Sequence, residues 1–245
     1  MRTKFLSLTA SALAALLMAA PQVSTAQAAG VLVSGAGGTD ISWPQCGRDN
    51  PEGYAFVVVG VTGGRPYTGN PCFADQYGWA AGNKGRATEV YVNLDFGMNP
   101  EGPLSCMDGE DFCQAYNYGY DAAAAAYTYA ARVTNGATFL QQVWWLDVET
   151  ENSWSDNVDL NSFVIQGAID FLQRTEGVTA GVYSTSHMWE LIAGSYAPTG
   201  IPNWVAGAGG TDDYGKCGAS LWPGGQVWAF QYLNFDLDLD QNTAC

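Results

Sequence analysis

Short runs rich in β-branched and aromatic residues alternate with helix-like stretches through most of this 245-residue chain. That alternation restricts the chain to α/β architecture with a largely parallel sheet. The strand candidates are residues 38–42, 55–61, 89–96, 143–149, 179–183, 203–206 and 227–232, with a last extended stretch at 235–240. Residues 73–84, 112–133 and 161–176 carry the helical pattern, and in the second of these Ala115, Gly119, Ala122, Ala126 and Ala130 recur at helical spacing. Such a stripe of small residues lets a helix lie close against a sheet. The final strands leave little chain for helices between them. Eight strands with helices concentrated early predict an incomplete, TIM-like (β/α) barrel rather than an open doubly wound sheet.

The first residues do not belong to that pattern. Arg2 and Lys4 precede an uncharged run at 5–20, Pro21 follows it, and Ala26-Gln27-Ala28 offers a small-residue cleavage motif. Residues 1–28 therefore read as an export signal; the apolar run is short for a membrane span. The remaining residues, 29–245, show neither a Pro-rich linker nor an internal repeat, which predicts a single domain.

Export sets the meaning of the cysteines. Cys46, Cys72, Cys106, Cys113, Cys217 and Cys245 all follow the leader, and an even number outside the cell argues for three disulfides. Fifteen connectivities are open to six cysteines. Closeness along the chain favours Cys106–Cys113, then Cys46–Cys72 and Cys217–Cys245. A zinc site is disfavoured because the chain has no Cys-x-x-Cys and one histidine, His187, which is expected on the surface at a helix start.

The leader carries two cations and no acid, so its removal takes the formal charge from −15 to −17. Such a field repels phosphate backbones and anionic surfaces, which argues against nucleic acid and against lipid surfaces as partners. The single histidine removes most Ser-His-Asp, Cys-His and His-metal mechanisms. Gly35-Ala36-Gly37-Gly38 and Gly207-Ala208-Gly209-Gly210 complete neither a dinucleotide fingerprint nor a P-loop and read as turns.

What remains is carboxylate chemistry, and the pleat says where it lies. In 144–149, Trp144, Leu146 and Val148 share one face of a strand, while Trp145, Asp147 and Glu149 share the other. Two acids thus stand at the strand's C-terminal end, where barrel enzymes build their active sites. The strand at 90–96 repeats the arrangement with Tyr91, Asn93 and Asp95 on one side, and Asp40 and Ser42 oppose Ile41 in the first strand. Gathering like charges in a partly buried site raises some of their pKa values, which is the condition a general acid needs near neutral pH. Glycoside cleavage uses one protonated and one ionised carboxyl in this way. Asp236, Asp238 and Asp240 are expected to share a face of the last strand. Aromatic residues near strand ends, with Tyr183 and Trp204 foremost, are candidates for contact with sugar rings.

These residues resemble the family 25 glycoside hydrolases, the lysozymes that cleave the link between N-acetylmuramic acid and N-acetylglucosamine in peptidoglycan. The resemblance is carried by Gly38-Thr39-Asp40-Ile41-Ser42, by residues 56–64 followed by Tyr67 and Phe73, and by Leu146-Asp147-Val148-Glu149. Val182-Tyr183-Ser184, Asn203-Trp204-Val205-Ala206, Trp228-Ala229-Phe230-Gln231-Tyr232 and Asp240-Gln241-Asn242 extend it over most of the mature chain. It implies five β/α units followed by three strands. It also implies Glu149 as general acid, Asp147 and Asp40 in support, and Asp240 as the outer acid. Gln231 and Tyr232 of the closing motif, with Asp95, Tyr183 and Trp204, are the expected substrate-binding residues. The chain departs from the family at Gly60-Val61-Thr62-Gly63-Gly64, which lacks the family's lysine and glutamate, and at Tyr91-Val92-Asn93-Leu94-Asp95. The expectation is therefore a secreted, monomeric glycosidase that acts on a cell-wall polysaccharide, peptidoglycan, without metal or cofactor. The alternative is a silent barrel that binds such a polysaccharide.

Overall fold

The computed structural model describes residues 32–83, 86–136, 143–234 and 239–245. Within them, eight strands close a barrel in sequence order: β1 (Gly37–Ile41), β2 (Phe56–Gly60), β3 (Ala87–Asn93), β4 (Val143–Asp147), β5 (Thr179–Ser184), β6 (Pro202–Val205), β7 (Gln226–Asn234) and β8 (Leu239–Ala244). Strands β1 to β7 pair in parallel, and β8 runs antiparallel between β7 and β1. Helices α1 (Phe73–Gly82), α2 (Asp111–Val133), α3 (Val158–Asp170) and α4 (Ser186–Ala193) follow β2, β3, β4 and β5.

The expected TIM-like barrel is therefore present, and among the described residues its α-helices follow β2 to β5 and none follows β6. Its first crossover carries a single 3₁₀ turn, Trp43–Gln45, in place of an α-helix, closed by reciprocal bonds between Ser42 and Gln45. After β6 a second short 3₁₀ turn, Tyr214–Gly218, stands where a helix would. Helix α3 starts on an Asn157 cap whose side chain accepts from the Asp159 amide, and it continues through one wider π turn, Phe171–Thr175. Helix α4, whose extent was not predicted, begins where His187 was expected to stand at a helix start; Thr185 caps it by accepting from the Met188 amide, and His187 is exposed in its first turn. The last strand lies several residues later than 235–240. Asp236 and Asp238 fall outside the described residues.

Alternation along the strands sorts the core into two shells. Outward-facing Val57, Val59, Val90, Val92, Trp144, Leu146 and Val148 pack with helix residues such as Phe73, Ala126, Ile165 and Trp189. Inward-facing Phe56, Val58, Trp145, Tyr183, Trp204 and Ala244 fill the lumen. Gly181 makes room there, since a Cβ on it would lie 2.4 Å from the Trp145 ring. The lumen is thus a packed core. Its open end lies at the C-termini of the parallel strands.

All three disulfides join the pairs nearest along the chain: Cys46–Cys72, Cys106–Cys113 and Cys217–Cys245, with Cα separations of 5.7, 5.7 and 5.5 Å. No described helix is long and apolar enough to cross a membrane.

Candidate active site

Asp40, Asp147, Glu149 and Asp240 line one narrow slot at the C-terminal end of the barrel, together with Tyr91, Tyr183, Trp204 and Gln231. Each reaches it by strand parity. Asp40 is the inward residue at the end of β1, Asp147 ends β4 and Glu149 follows two residues on. Asp240 faces Asp40 directly across the β1/β8 pair. The slot measures about 80 Å³ and holds only a few water-sized groups.

Amide donors fix the β1 acid. Asp40 Oδ2 accepts from Gln231 Nε2 at 3.0 Å and from Asn242 Nδ2 at 2.8 Å. Gln231 is held in turn by the Tyr183 hydroxyl, which donates to its Oε1 at 2.7 Å, and Asn242 by Trp204 Nε1, which donates to its Oδ1 at 2.8 Å. The Trp204 ring packs on Tyr183 at 4.4 Å between centroids and on Trp145 at 5.8 Å. Tyr183, Trp204, Gln231 and Asn242 therefore position one carboxylate as a unit.

The second acid is held from β3. Asn93 Nδ2 donates to Asp147 Oδ2, and Asn93 Oδ1 accepts from the Thr62 hydroxyl at 2.6 Å. Asp147 Oδ1 is buried with no hydrogen-bond donor among the described residues. Asp147 is 4% exposed and Asp40 9%. Glu149 is partly exposed at the opening.

Burial and mutual repulsion drive all three upward in pKa. Asp40 is raised to about 7, by burial first and by the Asp240 charge second, against the two amide bonds that favour its ionised form. Asp147 stands well above the usual carboxylate range because of burial, then the charge and proximity of Glu149. Glu149 is raised by burial and by Glu151, while its contacts with Asp147 and Tyr183 favour the ionised form. Near neutral pH this cluster holds at least one proton among several closely spaced oxygens. It can therefore both donate a proton and present a negative charge, as acid-assisted cleavage requires.

Two expected site residues lie elsewhere. Asp95 stands two residues beyond the last residue of β3, where alternation no longer dictates direction, and its Oδ1 accepts from the Tyr118 hydroxyl of α2 at 2.5 Å. Tyr232 neighbours Gln231 on β7, so the pleat turns it outward. It bonds Gln241 and lines a shallow pocket with Gly209, Thr211 and Leu233. Sequence reading named Asn242 only as part of the closing motif and gave it no role, because the last strand was placed too early, and it passed over Tyr91 and Asn93 as site residues although their inward parity was already visible. A more voluminous cavity than the slot, about 580 Å³ between α2, α3 and α4, is lined by Phe112, Phe163, Gln166 and Tyr196. Its Gln166 is bonded to Asp170 and Tyr196, and no cluster of acids converges there.

No family model and no curated protein matches the chain. Solved structures do. The muramidase from Acremonium alcalophilum is 18% identical, with a TM-score of 0.56 over 86% of this chain and 93% of that one. A bacterial lysozyme from Streptomyces coelicolor is also 18% identical, with a TM-score of 0.56 over 86% and 92%. A family GH25 lysozyme from Aspergillus fumigatus is 16% identical, with a TM-score of 0.50 over 86% and 93%. At these identities the likeness is one of fold.

Proposed function

We propose that this chain is a distant member of the family 25 glycoside hydrolases, a secreted muramidase-like enzyme that cleaves the glycan of peptidoglycan. The observation that carries the reading is the convergence of Asp40, Asp147, Glu149 and Asp240 on one slot at the barrel mouth. Its support from outside the chain is the shared fold with muramidases and lysozymes over most of both lengths. Export is supported by the leader at residues 1–28 and by three disulfides, which persist in oxidising surroundings.

In this reading Glu149, the most accessible member of the Asp147–Glu149 pair, gives its proton to the glycosidic oxygen as the bond from that oxygen to the anomeric carbon breaks. Positive charge develops on the anomeric carbon. Asp147 and Asp40 face that charge from deeper in the slot, and the amides of Gln231 and Asn242 keep negative charge available on Asp40. Water then adds to the anomeric carbon, and the proton it loses returns to the carboxylate cluster. Asp240 closes the far side of the slot.

Release of reducing ends from purified peptidoglycan tests this. Glu149→Gln keeps the shape and removes the proton, so the rate is expected to fall about a hundredfold or more. Equal rates for mutant and wild type would remove Glu149 from the role of acid. Binding of peptidoglycan without cleavage by the wild type would instead favour a silent, polysaccharide-binding barrel.

A further inference from the structure

Loop 63–69 leaves the C-terminal end of β2, on the same side of the barrel as the acids. Its base is tied to them: Thr62 donates to Asn93, and Asn93 donates to Asp147. Within this loop Tyr67 has φ 59°, in the left-handed region that bulky residues rarely adopt. Asn135, the other described non-glycine residue with positive φ, is of a type that tolerates this conformation. Tyr67 is 51% exposed, so burial of its ring does not offset the strain. Backbone strain that packing does not explain is a mark of functional positions.

The ring is nevertheless held still. Its hydroxyl donates to the Tyr118 carbonyl oxygen at 3.1 Å, and its edge meets the Tyr118 ring at 5.5 Å and 65°. Tyr118 also donates its own hydroxyl to Asp95, two residues beyond the end of β3. Asp95 is partly exposed beside these two rings. On the adjoining loop Trp43, three residues after Asp40, is 50% exposed, and its indole Nε1 lies 3.1 Å from where a side chain on Gly64 would begin. An open aromatic face with a carboxylate at its side matches a pyranose ring, whose C–H face is apolar and whose hydroxyls donate hydrogen bonds.

We propose that Tyr67, Tyr118 and Asp95 form an accessory glycan-binding station on the β2–β3 rim, with Trp43 extending it toward the slot. The station takes a sugar unit of the polysaccharide remote from the bond being cut, and so favours long strands over short ones. This rests on the reading of the protein as a glycan-cleaving enzyme, since the ligand is the same strand.

The test measures affinity calorimetrically in the Glu149→Gln background, using peptide-free peptidoglycan glycan strands, a tetrasaccharide and a decasaccharide. The decasaccharide is expected to bind more tightly than the tetrasaccharide, and Tyr67→Gly and Asp95→Ala are each expected to weaken the decasaccharide about tenfold. Leu191→Ala, on the exposed side of α4, is the control and is expected to bind as the parent does. Glycine relieves the left-handed strain at position 67, so Y67G is expected to melt no lower than the parent, which separates lost binding from lost folding. Parental affinity of Y67G for the decasaccharide overturns the station, as does failure of the parent to bind either strand. If the wild type does not cleave peptidoglycan while Y67G still loses affinity, the station stands and the hydrolase reading falls. If the wild type cleaves and Y67G binds normally, the reverse holds.

Discussion

Below the slot, Glu89 on β3 is 4% exposed and its Oε2 accepts from Trp145 Nε1 at 2.7 Å. Burial lifts its carboxyl from 4.5 to about 7, opposed by that one hydrogen bond. Between those values the folded chain keeps a proton that the unfolded chain has released. Stability from this group is therefore complete below about pH 4.5 and is lost as pH rises through about 7. Asp40 has the same sign, with a folded value of about 7 against 3.8. The melting temperature is accordingly expected to fall from pH 5 to pH 8. Glu89→Gln keeps an acceptor for Trp145 and removes the titration, so its fall is expected to be shallower and its melting point at pH 8 higher than the parent's. Thermal melts across that range check this. Parallel curves for the two proteins would show that Glu89 does not titrate in the window. The same residue shows what a barrel interior does to polar chemistry: the lumen that packs Trp145 and Trp204 also raises the pKa of the carboxyl it surrounds, as the slot above does for Asp40.

At the scale of elements, the pair α2 and α3 carries the tightest backbone approach. A Cβ on Gly119 of α2 would lie 1.8 Å from the Val164 carbonyl oxygen, and one on Gly167 of α3 would lie 2.0 Å from that of Tyr116. The small-residue stripe on α2 thus serves two partners, Gly119 against α3 and Ala122, Ala126 and Ala130 against the barrel's outer core. Since the obstacle is backbone, side-chain rotation cannot relieve it, and the helices must move apart. Gly119→Ala is expected to destabilise the fold by about 1–3 kcal/mol. The corresponding fall in melting temperature is several degrees for a chain of this size. Differential scanning calorimetry measures it directly, and an unchanged melting point would mean that the two helices tolerate separation. The stripe was legible in the sequence; that it faced another helix as well as the sheet was not, because periodicity reports which residues share a face and is silent about what covers it.

For the molecule as a whole, closure depends on β8, which bridges β7 and β1 at the end of the chain. The Cys217–Cys245 disulfide, spanning 28 residues, ties the residue after β8 to the loop that follows β6. It holds the closing strand in register, and with it Asp240 and Asn242. Replacing both cysteines with serine is expected to cost about 3 kcal/mol. Urea denaturation followed by tryptophan fluorescence gives that number, with the midpoint of the double mutant expected at lower urea than the parent's. Full stability of the double mutant would place the closure in the strand pairing alone.

The sequence by itself determined element types, the barrel class and the faces of β3 and β4, because side-chain alternation and helical period are local consequences of backbone geometry. It also pointed to the disulfide pairs, through short loops that close readily. Only the tertiary structure decided which acids meet. Asp95 was drawn aside by Tyr118 once the strand had ended, Tyr232 was turned outward beside an inward Gln231, and Asp240 came opposite Asp40 through an antiparallel pair 200 residues apart. Convergence of that kind depends on how the barrel closes and how its strands are staggered, and the raised pKa values depend on burial that exists only after closure.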